Sequence, residues 1–185
     1  MDIAQFLADF GDWAFDRHAN VLSWYIRPLF LLPLAWFAYH RSGWGIAGTL
    51  VALATSIFWF PAPAVPDPQV LEFLDFERDW LTGNWDGQQI LMSLLSPLSL
   101  GAFCLAFWKR SVVWGLVILN VMAVGKLLWG IVAGDGTGWA MTAPGLAGMV
   151  IGDVVFLWVL RRMRAHREQP EGERTAPSVL STTSS

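Results

Sequence analysis

Residues 112–132 read VVWGLVILNVMAVGKLLWGIV, an apolar run interrupted only by the amide of Asn120 and the charge of Lys126. About 20 apolar residues, rising about 1.5 Å each, cross about 30 Å of hydrocarbon. A helix satisfies its own backbone hydrogen bonds in that medium, so the run predicts a transmembrane helix. Four more apolar runs surround it, at about 21–39, 44–60, 88–108 and 143–160. The run at 44–60 is the shortest, and 21–39 carries Arg27, Pro28 and Pro33. The expected fold class is an all-α integral membrane protein, a bundle of about five transmembrane helices. Residues 1–167 form one membrane-embedded domain in this reading. The polar, small-residue tail 168–185 is expected to be disordered and cytoplasmic.

Composition agrees. Of 185 residues, 55% are hydrophobic and 15% charged, against about a quarter charged in soluble domains. Twelve Trp stand beside two Tyr, and the single Cys allows no internal disulfide. These proportions exclude a disordered chain, a disulfide scaffold and a basic nucleic-acid-binding domain.

The net charge of −3 resolves into two sets once five spans alternate the connections. One side collects His40, Arg41, Lys109, Arg110, Arg161, Arg162, Arg164, His166 and Arg167. The other collects Asp2, Asp9, Asp12, Asp16, Asp67, Glu72, Asp75, Glu77, Asp79, Asp86 and Asp135, with Arg17 and Arg78 the fixed cations there. Positive-inside orientation then places the N-terminus outside and the C-terminus in the cytoplasm, consistent with a bacterial inner membrane. Tryptophans cluster near both ends of the spans, as interfacial anchors do. The acidic first 20 residues lack the positive start of a signal peptide, and no lipidation signal is evident.

Two segments read as amphipathic helices on the outer surface. In 3–16, Ile3, Phe6, Leu7, Phe10, Trp13 and Ala14 recur at helical spacing, with acids opposite. This helix is expected to lie on the leaflet or to cap the bundle. The second, 68–82, follows a proline-rich break and opens on Asp67-Pro68 as N-cap and first helical position. Its stripe is Val70, Phe73, Leu74, Trp80 and Leu81. Glu77 falls inside that stripe, within about 40° of Leu81 at about 100° per residue. A carboxylate aimed inward must be paired or neutralised; otherwise it must snorkel to water.

Three more ionisable residues lie within spans: Arg27, Lys126 and Asp153. Each costs about 2.5–3.5 kcal/mol on insertion scales, so each calls for a partner or a cavity. A tight connection at 134–138 makes the last two spans an antiparallel hairpin, in which a Lys126–Asp153 ion pair is the expected contact. Glu77 is then available to Arg27, and Asn120, about 120° from Lys126, serves another contact. Gly145, Gly148 and Gly152 form a small-residue seam on the last span, open to another helix.

Familiar catalytic and cofactor arrangements do not emerge. His18, His40 and His166 lie at membrane edges on different sides, and Cys104 reads as a packing residue. There is no zinc spacing, haem-ligand pair, Walker loop or dinucleotide fingerprint. No metal or cofactor is expected. Three functional readings follow: a non-enzymatic accessory subunit or self-associating component, whose partners would be lipid, other subunits or itself; a transporter or ligand-binding bundle with an outward polar site at Arg27, Lys126, Asp153 and Glu77; and a lipid-acting membrane enzyme.

Overall fold

The computed structural model describes residues 2–83, 85, 87–133 and 142–168. Its helices are α1 (Ile3–His18), α2 (Val21–Leu29), α3 (Leu31–Tyr39), α4 (Gly43–Thr55), α5 (Pro68–Thr82), α6 (Gly87–Trp108), α7 (Val112–Ala133) and α8 (Thr142–Glu168). A 3-10 turn, Ser56–Phe58, continues α4. Four stretches are long and apolar enough to cross a membrane: Val21–Tyr39, Gln89–Trp108, Val112–Trp129 and Thr142–Met163. The chain is an all-α protein of membrane-spanning character.

The expected fifth span, 44–60, is shorter than anticipated. Gly43–Phe58 is apolar, but its 13-residue α-helix rises only about 20 Å before tightening into the 3-10 turn. Pro61 and Pro63 follow and cannot extend it. The element nonetheless runs back along α3 and delivers Phe58 to α1 and α2. The first span divides into α2 and α3 at Phe30. Pro33 has no N–H to give the Leu29 carbonyl, which interrupts the ladder at that point.

Two helical hairpins close with the same turn. Arg41 and Arg110 adopt left-handed backbone, at φ 57° and 59°. Ser42 N–H donates to the Phe37 carbonyl and Ser111 N–H to the Ala106 carbonyl. The serine hydroxyls then accept from Gly45 N–H and Trp114 N–H and so cap α4 and α7. Arg41 also donates to the Trp108 carbonyl at 3.3 Å, tying one turn to the other. The shared chemistry was concealed in the dissimilar strings HRSGW and KRSVVW.

Between the hairpins lies a core of Leu34, Ala35, Ala38, Phe103, Phe107, Val112, Leu119 and Phe156. A second, smaller core sits at the opposite end, where α5 lays Val70, Phe73 and Leu74 on Trp24 and Ala19. α5 thus covers that end of the bundle, and Trp80 reaches Trp129 of α7, ring centroids 5.9 Å apart. Along α1, Ala14 and His18 are buried, whereas Ile3, Phe6 and Leu7 are exposed. The connection at 134–138 and the tail 169–185 lie outside the described residues. α8 itself continues beyond the expected end at 160, through Glu168.

Candidate functional site

The site is built at the junction of α1 and α2. Asn20 caps α2 by accepting from Leu22 N–H at 3.0 Å, and its amide donates to the Pro61 carbonyl at 2.9 Å. That clasp fixes the turn and holds the proline-rich segment against it. His18, the last residue of α1, is thereby buried beside the first two turns of α2. Ser23 and Arg27 are four residues apart and share one face of α2.

A continuous hydrogen-bond path results. Arg27 Nη1 lies 3.3 Å from His18 Nε2, and His18 Nδ1 lies 3.1 Å from Ser23 Oγ. Guanidinium can only donate, so this contact makes Nε2 the acceptor and leaves the ring proton on Nδ1 for Ser23. The Ser23 hydroxyl faces the His18 carbonyl at 3.5 Å, and Trp24 Nε1 donates to the same carbonyl at 2.9 Å. Ser23 has no exposed surface, so its hydroxyl orients the imidazole and cannot meet a substrate.

Glu77 comes down from α5 and places Oε2 3.6 Å from His18 Nε2. Glu77 points inward, as one of the two expectations had it, but with Nε2 accepting from Arg27 the ring offers it no proton, and the carboxylate, 33% exposed, keeps access to water. The field of its carboxylate reaches both Arg27 and Lys126, and the two cations also feel each other. Lys126 is exposed on α7, one turn from Trp129, which packs on Trp80 of α5, and it lies near enough to feel the charges of Glu77 and Arg27. It makes no hydrogen bond or ion pair among the described residues. Arg27 Nε is buried and has no hydrogen-bond partner. Two fixed cations therefore lie in the field of one carboxylate without forming an ion pair with it, and one buried N–H remains unspent.

Asp153 does not join this group. The expected Lys126–Asp153 ion pair is replaced by a hydrogen bond from Asn120 Nδ2 to Asp153 Oδ1, 2.8 Å long. Helix register explains the change. A side chain on Gly145 would meet Leu127, and one on Gly152 would meet Leu119. Asp153 therefore sits level with Asn120, about 9 Å along α7 from Lys126. Asn120 also donates to the Leu116 carbonyl at 3.0 Å.

The glycine seam is likewise filled from within the chain. Gly145 and Gly152 admit Leu127 and Leu119 of α7, while Gly148 admits the ring of Pro28 from α2. The three glycines thus let α8 approach two neighbours at once.

The sequence reading missed His18, Ser23 and Ser93. Ser23 and Arg27 share a face of α2, a signal readable from their spacing, but His18 joins them only through the α1–α2 turn. Within α6, the Ser93 hydroxyl accepts from Trp80 Nε1 at 3.3 Å and anchors α5 to α6. Among the described residues, no three His, Cys, Asp or Glu side chains converge as metal ligands. A groove of about 300 Å³ between α3 and α4, lined by Phe30, Pro33, Phe37, Gly48 and Ala52, is apolar and separate from the charged group.

No family model, curated protein or solved structure matches the chain. The site's chemistry therefore rests on its own geometry.

Proposed function

We propose that this chain is a small polytopic membrane protein that binds an anionic ligand beneath α5, at a site formed by Arg27, His18, Lys126 and Glu77. Of the three readings, this is the ligand-binding bundle, with Asp153 removed from the site. One observation carries it. Arg27 and Lys126 bring two positive charges to a single carboxylate, and the buried Nε of Arg27 still lacks an acceptor. Uncompensated charge and an unsatisfied donor both carry a free-energy cost in a low-dielectric setting. An oxyanion satisfies both, and guanidinium geometry suits it. The accessory-subunit reading rests on the absent catalytic constellation, the lack of a large soluble domain and the glycine seam; of these, the seam is occupied by α2 and α7.

By the positive-inside pattern, the α5-covered end faces outward from a bacterial inner membrane. α1 and α5 act there as amphipathic helices, with the acids Glu72, Asp75 and Asp79 of α5 toward water.

The test is the thermal stability of the purified protein in sulfate, phosphate, acetate and chloride at one ionic strength, high enough to screen the exposed acids. Wild type should gain Tm in the oxyanions over chloride, because a ligand that binds the folded state stabilises it. Arg27→Gln should keep only the general gain that sulfate and phosphate give any folded protein, so its oxyanion-over-chloride difference should be clearly smaller than that of wild type. An oxyanion gain equal in wild type and Arg27→Gln overturns the reading.

A further inference from the structure

We infer that the anion is the phosphate group of a membrane lipid, entering sideways from the bilayer past Lys126. This rests on the anion-binding reading above and names its ligand class.

Two routes lead to Arg27 Nε, and their charges differ. The route from water crosses the outer face of α5, where Glu72, Asp75 and Asp79 are exposed and repel a soluble anion. The route from the lipid side passes α7, where Lys126 is exposed, one turn from the Trp129–Trp80 contact that joins α7 to α5, and within the field of Glu77 and Arg27. Lysine stems lie along apolar surface while their heads seek charge, so Lys126 bridges the lipid-facing surface and the buried guanidinium. Depth agrees. Lys126 is seven residues before the end of α7 at Ala133, about 10 Å below it, in the outer part of the span just beneath the headgroup layer. Trp129 and Trp80 stand one turn from Lys126 and Glu77 and touch each other. Such indole pairs favour the headgroup level.

A lipid phosphodiester entering there places one oxygen against Arg27 Nε and another near the Lys126 ammonium. Its single negative charge offsets the positive charge that Glu77 leaves over. The glycerol and chains remain in the bilayer beside α7, along exposed Val121, Val124 and Leu128. A zwitterionic headgroup carries its own cation into the site and fits less well.

The experiment is native mass spectrometry and Tm measurement on the full chain, with phosphatidylglycerol, phosphatidylcholine or inorganic phosphate added. Lys126→Gln is the working variant, because Lys126 makes no bond whose loss would unfold the protein. Wild type should retain phosphatidylglycerol under activation that strips phosphatidylcholine, and Lys126→Gln should bind it about tenfold more weakly, the loss of one charge-assisted contact. Without lipid, Lys126→Gln should melt no lower than wild type. Equal phosphatidylglycerol retention by both proteins overturns the inference. Stabilisation by inorganic phosphate without any preference for phosphatidylglycerol also overturns it, while leaving the anion site standing. No response to either probe removes both.

Discussion

Asn120 Nδ2 donates to Asp153 Oδ1 across 2.8 Å, and this bond takes the carboxylate that Lys126 was expected to hold. The protein's intramembrane polar residues thereby separate into two groups. Asn120 and Asp153 join α7 to α8 near mid-span. Arg27 meets His18 beside Glu77 beneath α5, with Lys126 in the field of the same carboxylate.

A double-mutant cycle separates the two groups. Asn120→Ala and Asp153→Ala should couple by about 0.6–1.7 kcal/mol, the range of interhelical hydrogen bonds in membranes. Lys126→Ala and Asp153→Ala should be additive within about 0.5 kcal/mol. Unfolding in mixed micelles measures both.

Glycine positions in α8 should differ sharply in tolerance. At Gly148 an added methyl meets the rigid ring of Pro28, and Gly148→Ala should cost about 1–3 kcal/mol. At Gly145 the neighbour is the flexible end of Leu127, 3.0 Å away, so Gly145→Ala should be nearly neutral. Tm values of the two variants decide this.

Glu77 brings a carboxylate from α5 toward His18 and into the field of Arg27 and Lys126. Because its side chain is 33% exposed, Glu77→Gln should cost about 1–3 kcal/mol, less than breaking a fully buried pair. Amide exchange should quicken across α5, while Val70, Phe73 and Leu74 keep it partly docked on Trp24. Adding Lys126→Gln to Glu77→Gln should restore part of the loss, since one unpaired cation then leaves as well.

Orientation is measurable with cysteine labels. In a Cys104→Ala background, Glu72→Cys should react with a membrane-impermeant maleimide on intact cells, and Lys109→Cys should not. The reverse pattern would invert the proposed topology.

Most helices were legible because hydrophobic runs and Asp67-Pro68 are local signals, but the break at Phe30 and the extension of α8 to Glu168 were not. α5 runs over Pro68–Thr82, as the sequence indicated. The shortness of α4 was legible only as the weakest apolar run. Side-chain partners were harder, because they depend on helix register and rotation. A displacement of six residues along α7 exchanged Lys126 for Asn120 as the partner of Asp153. Glu77 betrayed itself by facing the wrong way on its helix, a pattern visible in one dimension. His18 gave no such sign, since its burial follows from the turn at Asn20 and the helix that closes over it.

The most direct test of the whole account is the sulfate-dependent rise in Tm of wild type, Lys126→Gln and Asp153→Asn, measured side by side. With Arg27, Lys126, His18 and Glu77 forming the anion site and Asp153 outside it, Asp153→Asn should keep the full rise, and Lys126→Gln should fall to the smaller general gain that sulfate gives any folded protein. A rise undiminished in Lys126→Gln, or reduced in Asp153→Asn, would contradict the account.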